Sequence, residues 1–308
     1  MRTAFRTDAA KVVAGITITH PSKPLWPDGG DGKPVTKLQL AQYFETMAPW
    51  VLPHISHRPC SILRAPDGIL GKQFLQRHAT VSLSAHLDKL KVAGDRAAYV
   101  QINSIQALEA VAQAGGIELH PWNCLALQPE RPGRLVFDFD PADDVNFADV
   151  VQGALLFRRY AETLGLTPFV KTTGGKGLHI VVPLDVEPLR RTGWPVAKAV
   201  ARAICVAMSD KYPDRFVVNM ARKRRTGRIF LDYLRNDRTA TAVEPLSPRA
   251  RIGATVSMPL TWSQMTKRLD PKRFTIRTAP ALLSKSYAWH DYNRSGCSLH
   301  SLAEQFGL

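Results

Sequence analysis

The feature that most constrains the fold is a short glycine turn between two runs of apolar and β-branched residues. Segments 168–173 (PFVKTT) and 178–183 (LHIVVP) each read as a strand, and only Gly174-Gly175-Lys176-Gly177 separates them. A parallel crossover needs roughly a dozen residues, so this connection admits only a hairpin. The sheet there is therefore mixed or antiparallel and not doubly wound, which weakens a dinucleotide-fold reading. Further strand candidates lie at 60–65, 117–120, 134–140, 216–219 and 228–234, interleaved with helical periodicity at 36–51, 104–114, 147–164 and 195–208. The chain reads as α/β or, given the hairpin, α+β. Thr36 is placed to cap the first helix and Pro53 to stop it, while Gly115-Gly116 and Gly165 follow the second and third. Segments 26–34 and 184–195 read as surface loops. The tail after about residue 245 reads as wrapping loops with one or two short helices.

Charge points to the class of partner. The 308 residues carry 41 Lys and Arg against 26 Asp and Glu, a net +15. Residues 1–150 hold 15 basic and 15 acidic side chains, so the whole excess lies in residues 151–308, with 26 basic against 11 acidic. Such a field indicates nucleic acid, phosphates or an anionic surface. No apolar run reaches the roughly 20 residues that span a bilayer, and the start MRTAFRTDAAKVVAGITI is broken by Asp8 and Lys11, a poor signal peptide. A soluble cytoplasmic protein with no membrane partner is the expectation. Cys60, Cys124, Cys205 and Cys297 form no C-x-x-C pair, which fits reduced structural thiols better than a zinc knuckle or a disulfide framework.

The sharpest chemical motif is Arg134-Leu-Val-Phe-Asp138-Phe-Asp140-Pro141. Strand alternation puts both carboxylates on one face about 6.5–7 Å apart along the backbone. Two anions so placed repel unless a cation offsets them, so a Mg²⁺ or Mn²⁺ site fits, as does a solvated Asp-Pro turn closing a strand. A calcium loop fails, because Ala142 and Asp143 stand where it wants Asp or Asn and then Gly. Aspartyl-phosphate phosphatases and sugar-nucleotide transferases share the D-x-D, and the motif alone leaves them open.

Lys171-Thr-Thr173-Gly174-Gly175-Lys176-Gly177-Leu-His179 narrows the field. Adjacent glycines let backbone N–H groups approach an anion, and Thr173, Lys176 and His179 add a hydroxyl, a charge and a ring nitrogen, a cradle for a triphosphate. The spacing is not that of a Walker loop. A third element, Arg222-Lys-Arg-Arg225-Thr-Gly-Arg228-Ile-Phe-Leu-Asp232, sets five cations before one acid. Asp232 is either their salt-bridge partner or a third carboxylate for a two-metal centre. His120, in GIELHPWN at 116–123, lies just before the D-x-D strand and is a candidate substrate contact.

Taken in order, RLVFDFDP, TTGGKGLHIVVPL and RKRRTGRIFLDYLRN resemble the three motifs of the polymerase domain of bacterial DNA ligase D, in the archaeo-eukaryotic primase superfamily. The likeness extends to ITHPSKPLWP at 18–27, GKQFLQRHA at 71–79, GIELHPWN at 116–123 and PLSPRAR at 245–251. It implies one primase-polymerase domain over 1–308 with mixed or antiparallel central sheets flanked by helices. DNA-end contacts would fall within 1–133, the metal and nucleotide core within 134–245, and a wrapping segment within 246–308. The implied activity is template-directed addition of nucleotides, ribonucleotides by preference, to DNA 3′ ends during non-homologous end joining.

Residue by residue, the resemblance gives Asp138, Asp140 and Asp232 to a pair of Mn²⁺ ions, with Mg²⁺ as the substitute. It gives His120, Thr173, Gly175, Lys176, His179, Arg225 and Arg249 to the nucleotide. Lys23 and Lys37 match lysines that grip a downstream 5′-phosphate; Phe74 matches an aromatic that stacks on the template, and Arg64 and Arg77 join them on DNA. Implied partners are double-stranded ends with a 5′-phosphate, gapped primer-template, NTP or dNTP, ligase and nuclease domains, and a Ku-type end-binding protein. Relatives often read Phe-Phe where this chain has Phe74-Leu75, Ser for Thr173 and Lys for Arg77. A primer-independent primase, a non-catalytic DNA-end-binding module and a sugar-nucleotide transferase are the competing readings.

Overall fold

In a computed structural model, residues 8–80, 85–187, 193–286 and 288–308 are described. A six-stranded sheet runs in the order Phe216–Val217, Ile229–Asp232, Arg134–Pro141, Leu178–Pro183, Phe169–Thr172, Pro259–Leu260. All neighbours pair antiparallel except the first two, which are parallel. The expected hairpin is present: Thr172 pairs with Leu178, and the Thr173 N–H donates to the Gly177 carbonyl at 3.1 Å. A second, five-stranded sheet is built on Cys60–Arg64, which pairs with Phe74–Gln76, Tyr99–Gln101 and Gly116–Pro121; Asp88–Leu90 pairs with Tyr99–Gln101.

Helix α1 (Lys37–Ile55) starts as its sequence dictates. The Thr36 hydroxyl accepts from the Gln39 N–H while the Gln39 side chain accepts from the Thr36 N–H, a reciprocal cap. Pro53 does not stop it: the helix runs through Pro49 and Pro53 to Ile55. Pro53 lacks the N–H that would reach the Pro49 carbonyl, a defect that interior prolines normally make costly. Here buried Val51 and Ile55 hold the last turn against the core, and the chain breaks away only at His57, whose φ is 60°. Helices α2 (Ile105–Gln113), α3 (Phe147–Thr163) and α4 (Trp194–Lys211) lie within three residues of the expected ends, and Gly115 and Gly165 adopt positive φ just past α2 and α3.

The Arg134–Pro141 strand shows why one sheet face is core and the other a site. Leu135, Phe137 and Phe139 point to the helical side, where Phe157 of α3 meets the rings of Phe137 and Phe139 at 4.7 and 5.4 Å. On the opposite face Val136 packs with Val181, Ala242, Trp289 and Tyr292, and beyond it this row turns to carboxylates. The main apolar core runs from Val13 to Ala303, so the tail takes part in it. Pro259–Leu260 adds the edge strand to the central sheet, so the tail does more than wrap. The loop expected at 184–195 falls partly outside the described residues, and α4 begins one residue earlier than expected, at Trp194. All four cysteines are free thiols, as expected.

Candidate active site

Register brings the three motifs into one row. Asp138 stands directly opposite Asp232 on one side and His179 on the other, and His179 stands opposite Lys171. Directly opposed residues share a sheet face, so Asp232, Asp138, His179 and Lys171 line up across four strands. Asp140, two residues on, shares that face. The sequence separation between Asp138 and Asp232 is closed by the antiparallel ladder alone.

The Gly174–Gly177 turn sits at the end of this row, and two of its glycines, Gly174 and Gly177, have no room for a side chain. A Cβ on Gly177 would lie 2.5 Å from the Phe139 carbonyl oxygen; one on Gly174, whose φ is +68°, would lie 2.5 Å from Cγ of Arg249. The Thr173 hydroxyl accepts from the Gly175 N–H at 3.2 Å and donates to the Gly177 carbonyl at 3.1 Å, so it fixes the turn from within.

Cations enclose the carboxylates. Arg225 Nη1 lies 2.9 Å from Asp140 Oδ2, and Lys176 Nζ lies 3.7 Å from Asp140 and 2.9 Å from Asp143. Arg235 reaches Asp232 at 3.3 Å and Asp138 at 3.7 Å, and His179 Nε2 lies 3.5 Å from Asp138. Burial by itself raises the Asp138 carboxyl, but His179, Arg235 and Lys171 outweigh it and hold the group below the ordinary range. Asp232 goes the other way: burial raises it and the Asp138 anion adds to that, against Arg235 and the Leu234 N–H. Burial, with Lys171 beside it, brings His179 down to about 4, so this imidazole is neutral at pH 7.

Asp138, Asp140 and Asp232 line one cleft of about 700 Å³ together with Lys176, Arg222, Arg225 and Arg235. A second cleft of about 290 Å³ shares Asp138, Asp140, Lys176 and Arg235, and adds His120, Thr173, Gly175, His179 and Arg249. The residues expected at the nucleotide therefore converge, except Arg225, which lines only the acid cleft. Among the described residues no three His, Cys, Asp or Glu side chains close on one point as a metal-ligand cluster. The donor set still suits a hard divalent cation, since the acid cleft offers carboxylate oxygens and neither histidine nor cysteine lines it.

Comparison with known proteins follows the same pattern. Residues 36–290 match the family model described as LigD, primase-polymerase domain. The chain belongs to the LigD primase-polymerase domain family. It is 35% identical over 284 residues to the multifunctional non-homologous end joining protein LigD of Pseudomonas aeruginosa, covering 91% of this chain and 33% of that protein. It is 31% identical over 260 residues to the LigD DNA repair protein of Mycobacterium tuberculosis, covering 81% and 33%. The chain thus spans about a third of the length of these relatives. Its fold is similar to the polymerase domain of Mycobacterium tuberculosis ligase D in complex with DNA, with a TM-score of 0.81 and 27% identity over 90% of this chain and 97% of that one.

For a member of the LigD primase-polymerase family, the five residues expected on DNA lie apart from both clefts, in and beside the smaller sheet. Arg64 stands opposite Phe74 with its guanidinium 5.2 Å from the ring, and also donates to the Ala114 carbonyl and Gln76. Phe74 and Leu75 are 40% and 44% exposed, and as strand neighbours they face opposite ways. Arg77 is exposed. Lys23 pairs with Asp67 at 2.8 Å, and its carbonyl accepts from the Lys37 N–H at 2.9 Å, so the two lysines adjoin. Lys37 is buried, and burial together with Lys23 lowers its ammonium pKa.

Sequence reasoning missed Arg235, Arg251 and Glu118. Arg235 follows Asp232 by three residues at a turn in which the Leu234 N–H donates to Asp232 Oδ1 at 2.8 Å, which folds it back over the acids. An i, i+3 cation after a strand-end acid is the signal that would have found it. Arg251 lines the second cleft, and Glu118 underlies it; neither carries a local signal. Among the described residues no helix is long and apolar enough to cross a membrane.

Proposed function

We propose that this chain is a template-directed nucleotidyltransferase that extends DNA 3′ ends at gapped, 5′-phosphorylated breaks in end joining, with ribonucleotides preferred. The observation that carries the reading is the row Asp232–Asp138–His179 beside the glycine turn, in a chain that matches a DNA-bound polymerase domain over most of its length. The 1–308 chain acts as one catalytic unit, with residues before 134 meeting the DNA end. Asp138, Asp140 and Asp232 would hold two Mn²⁺ ions, or Mg²⁺ in their place; when bound, these supply activation of the 3′-hydroxyl and neutralisation of charge on the leaving pyrophosphate.

The protein's own groups do the positioning. The Gly174–Gly177 backbone, Lys176, Arg249 and Arg251 present donors and positive charge to a triphosphate, which favours the transition state because phosphoryl transfer asks mainly for placement and charge compensation. The primer 3′-oxygen attacks the α-phosphorus, the bond to the bridging oxygen breaks, and pyrophosphate leaves. Neutral His179 acts as a hydrogen-bonding group and not as a cation. Arg225 and Arg235 compensate the carboxylates. Ligase and nuclease domains, in the same or a partner chain, and a Ku-type protein are the partners this activity calls for, in the bacterial cytoplasm.

The test is extension of a gapped, 5′-phosphorylated primer-template by one ribonucleotide with Mn²⁺. Wild type extends, and Asp138→Ala loses at least a thousandfold in rate because the centre of the carboxylate row is gone. Normal extension by Asp138→Ala overturns the assignment.

A further inference from the structure

Glu118 is a buried carboxylate that the reaction does not use directly, yet it holds two residues that line the nucleotide cleft. It lies on Gly116–Pro121, two residues before His120, so both side chains leave the same strand face. Its Oε2 is 2.8 Å from His120 Nε2, and its Oε1 accepts from the Ala250 N–H at 2.8 Å and lies 3.1 Å from Arg249 Nε. The residue is 5% exposed. Burial alone would raise this carboxyl, but the His120 hydrogen bond and the Arg249 charge prevail and bring it down to about 2, so it is an anion throughout the working pH range.

The partners of Glu118 belong to two parts of the fold, and one of them reaches a third. His120 is on the smaller sheet, Arg249 is in the segment after residue 245, and Arg249 Nη1 donates to the carbonyl of Thr173 at the head of the glycine turn. The Arg249 carbonyl in turn accepts from Trp26 Nε1 at 2.9 Å, which fixes that backbone from behind. A single carboxylate thus sets where an imidazole and a guanidinium stand relative to the turn. Its oxygens hold His120 by a hydrogen bond at Nε2 and Arg249 by an ion pair at Nε, while Arg249 Nη1 reaches the turn. His120 and Arg249 both line the cleft.

We infer that Glu118 is a positioning residue for the incoming nucleoside triphosphate, acting through the side chains of His120 and Arg249, with the Ala250 N–H fixing its own place, and binding the two into one recognition unit. The inference rests on the proposed nucleotidyl transfer for the identity of the ligand. Without Glu118 the two side chains lose their common anchor, and a placement error of about 1 Å at such a site costs on the order of a hundredfold. A residue that acts through two others must also show coupling: once both are removed, its own removal has nothing left to disturb.

The experiment uses the full chain and two readouts, equilibrium binding of ATP with Mn²⁺ present and single-ribonucleotide extension on gapped primer-template. Glu118→Gln, which keeps the shape and one acceptor oxygen, is expected to weaken ATP binding and raise the nucleotide KM by tenfold or more, with a smaller change in kcat; Glu118→Ala does so more strongly. Affinity for the gapped DNA stays within twofold in both, a result that a general loss of structure would not give. In the His120→Ala/Arg249→Ala background, adding Glu118→Gln changes ATP binding by less than twofold. Unchanged ATP binding in Glu118→Gln, or an undiminished tenfold loss in the double-variant background, overturns the inference. A wild type that binds ATP but does not extend primers overturns the proposed function alone, since the ATP titrations still decide the role of Glu118.

Discussion

Glu109 shows how a single residue can make stability depend on pH. It lies in α2, fully buried, and neither carboxylate oxygen has a hydrogen-bond partner. Burial, with Glu45 adding like charge, pushes its carboxyl up to about 8. The folded state therefore keeps the proton while the unfolded chain gives it up near pH 4.5. The stabilisation is complete below that value and is lost as pH climbs towards 8. Glu109→Gln has no proton to lose, so its stability should match wild type at pH 5 and exceed it by about 1–3 kcal/mol at pH 8. Thermal unfolding at the two pH values checks this; an equal gap at both would refute it. At this scale the sequence marked Asp138, Asp140 and the glycine turn because their spacing is local. Glu118 was invisible to it, since its partners are chosen by packing, whereas Arg235 carried only its i, i+3 spacing from Asp232.

At the scale of elements, the glycine hairpin carries the site, and its tolerance to substitution is set by what each Cβ would meet. Gly177→Ala drives a methyl against the Phe139 carbonyl, a backbone atom that cannot step aside without moving the Asp138–Asp140 strand. A loss of about 2–4 kcal/mol is expected together with a raised nucleotide KM. Gly165→Ala serves as the comparison: its φ is +74° but nothing lies within 4 Å of the added carbon, so only backbone strain of about 1 kcal/mol applies. Chemical denaturation of both variants separates contact from strain, and equal losses would count against this account of the turn. The hairpin and the four long helices were legible because period 2, period 3.6 and capping residues are written locally. The three-residue strands Phe74–Gln76, Asp88–Leu90 and Tyr99–Gln101 were not, because so short an extended run gains its identity from the strand it pairs with.

Over the whole molecule, the +15 charge is a surface property that the carboxylate row interrupts. Five of the 15 acids in residues 1–150 fall between Asp138 and Asp149, so residues 1–137 are themselves basic, with 15 cations against 10 anions. Both halves then supply positive surface, and binding of gapped DNA should weaken steeply as salt rises from 50 to 200 mM. Arg77→Ala, an exposed cation outside both clefts, should lower the slope of log affinity against log salt by about 1 without altering ATP binding. Salt-independent binding would remove the phosphate-tracking role. From the sequence alone came a mixed or antiparallel sheet, the long helices, the anionic class of partner and the three motifs, all properties fixed by spacing and composition over a few residues. Only the tertiary structure decided that Asp232 stands beside Asp138, that Arg225 lines the acid cleft and not the second one, that Pro53 lies within a helix, and that the tail completes the central sheet. Those outcomes depend on strand register and on burial between segments far apart in the chain, and neither is specified by any local run of residues.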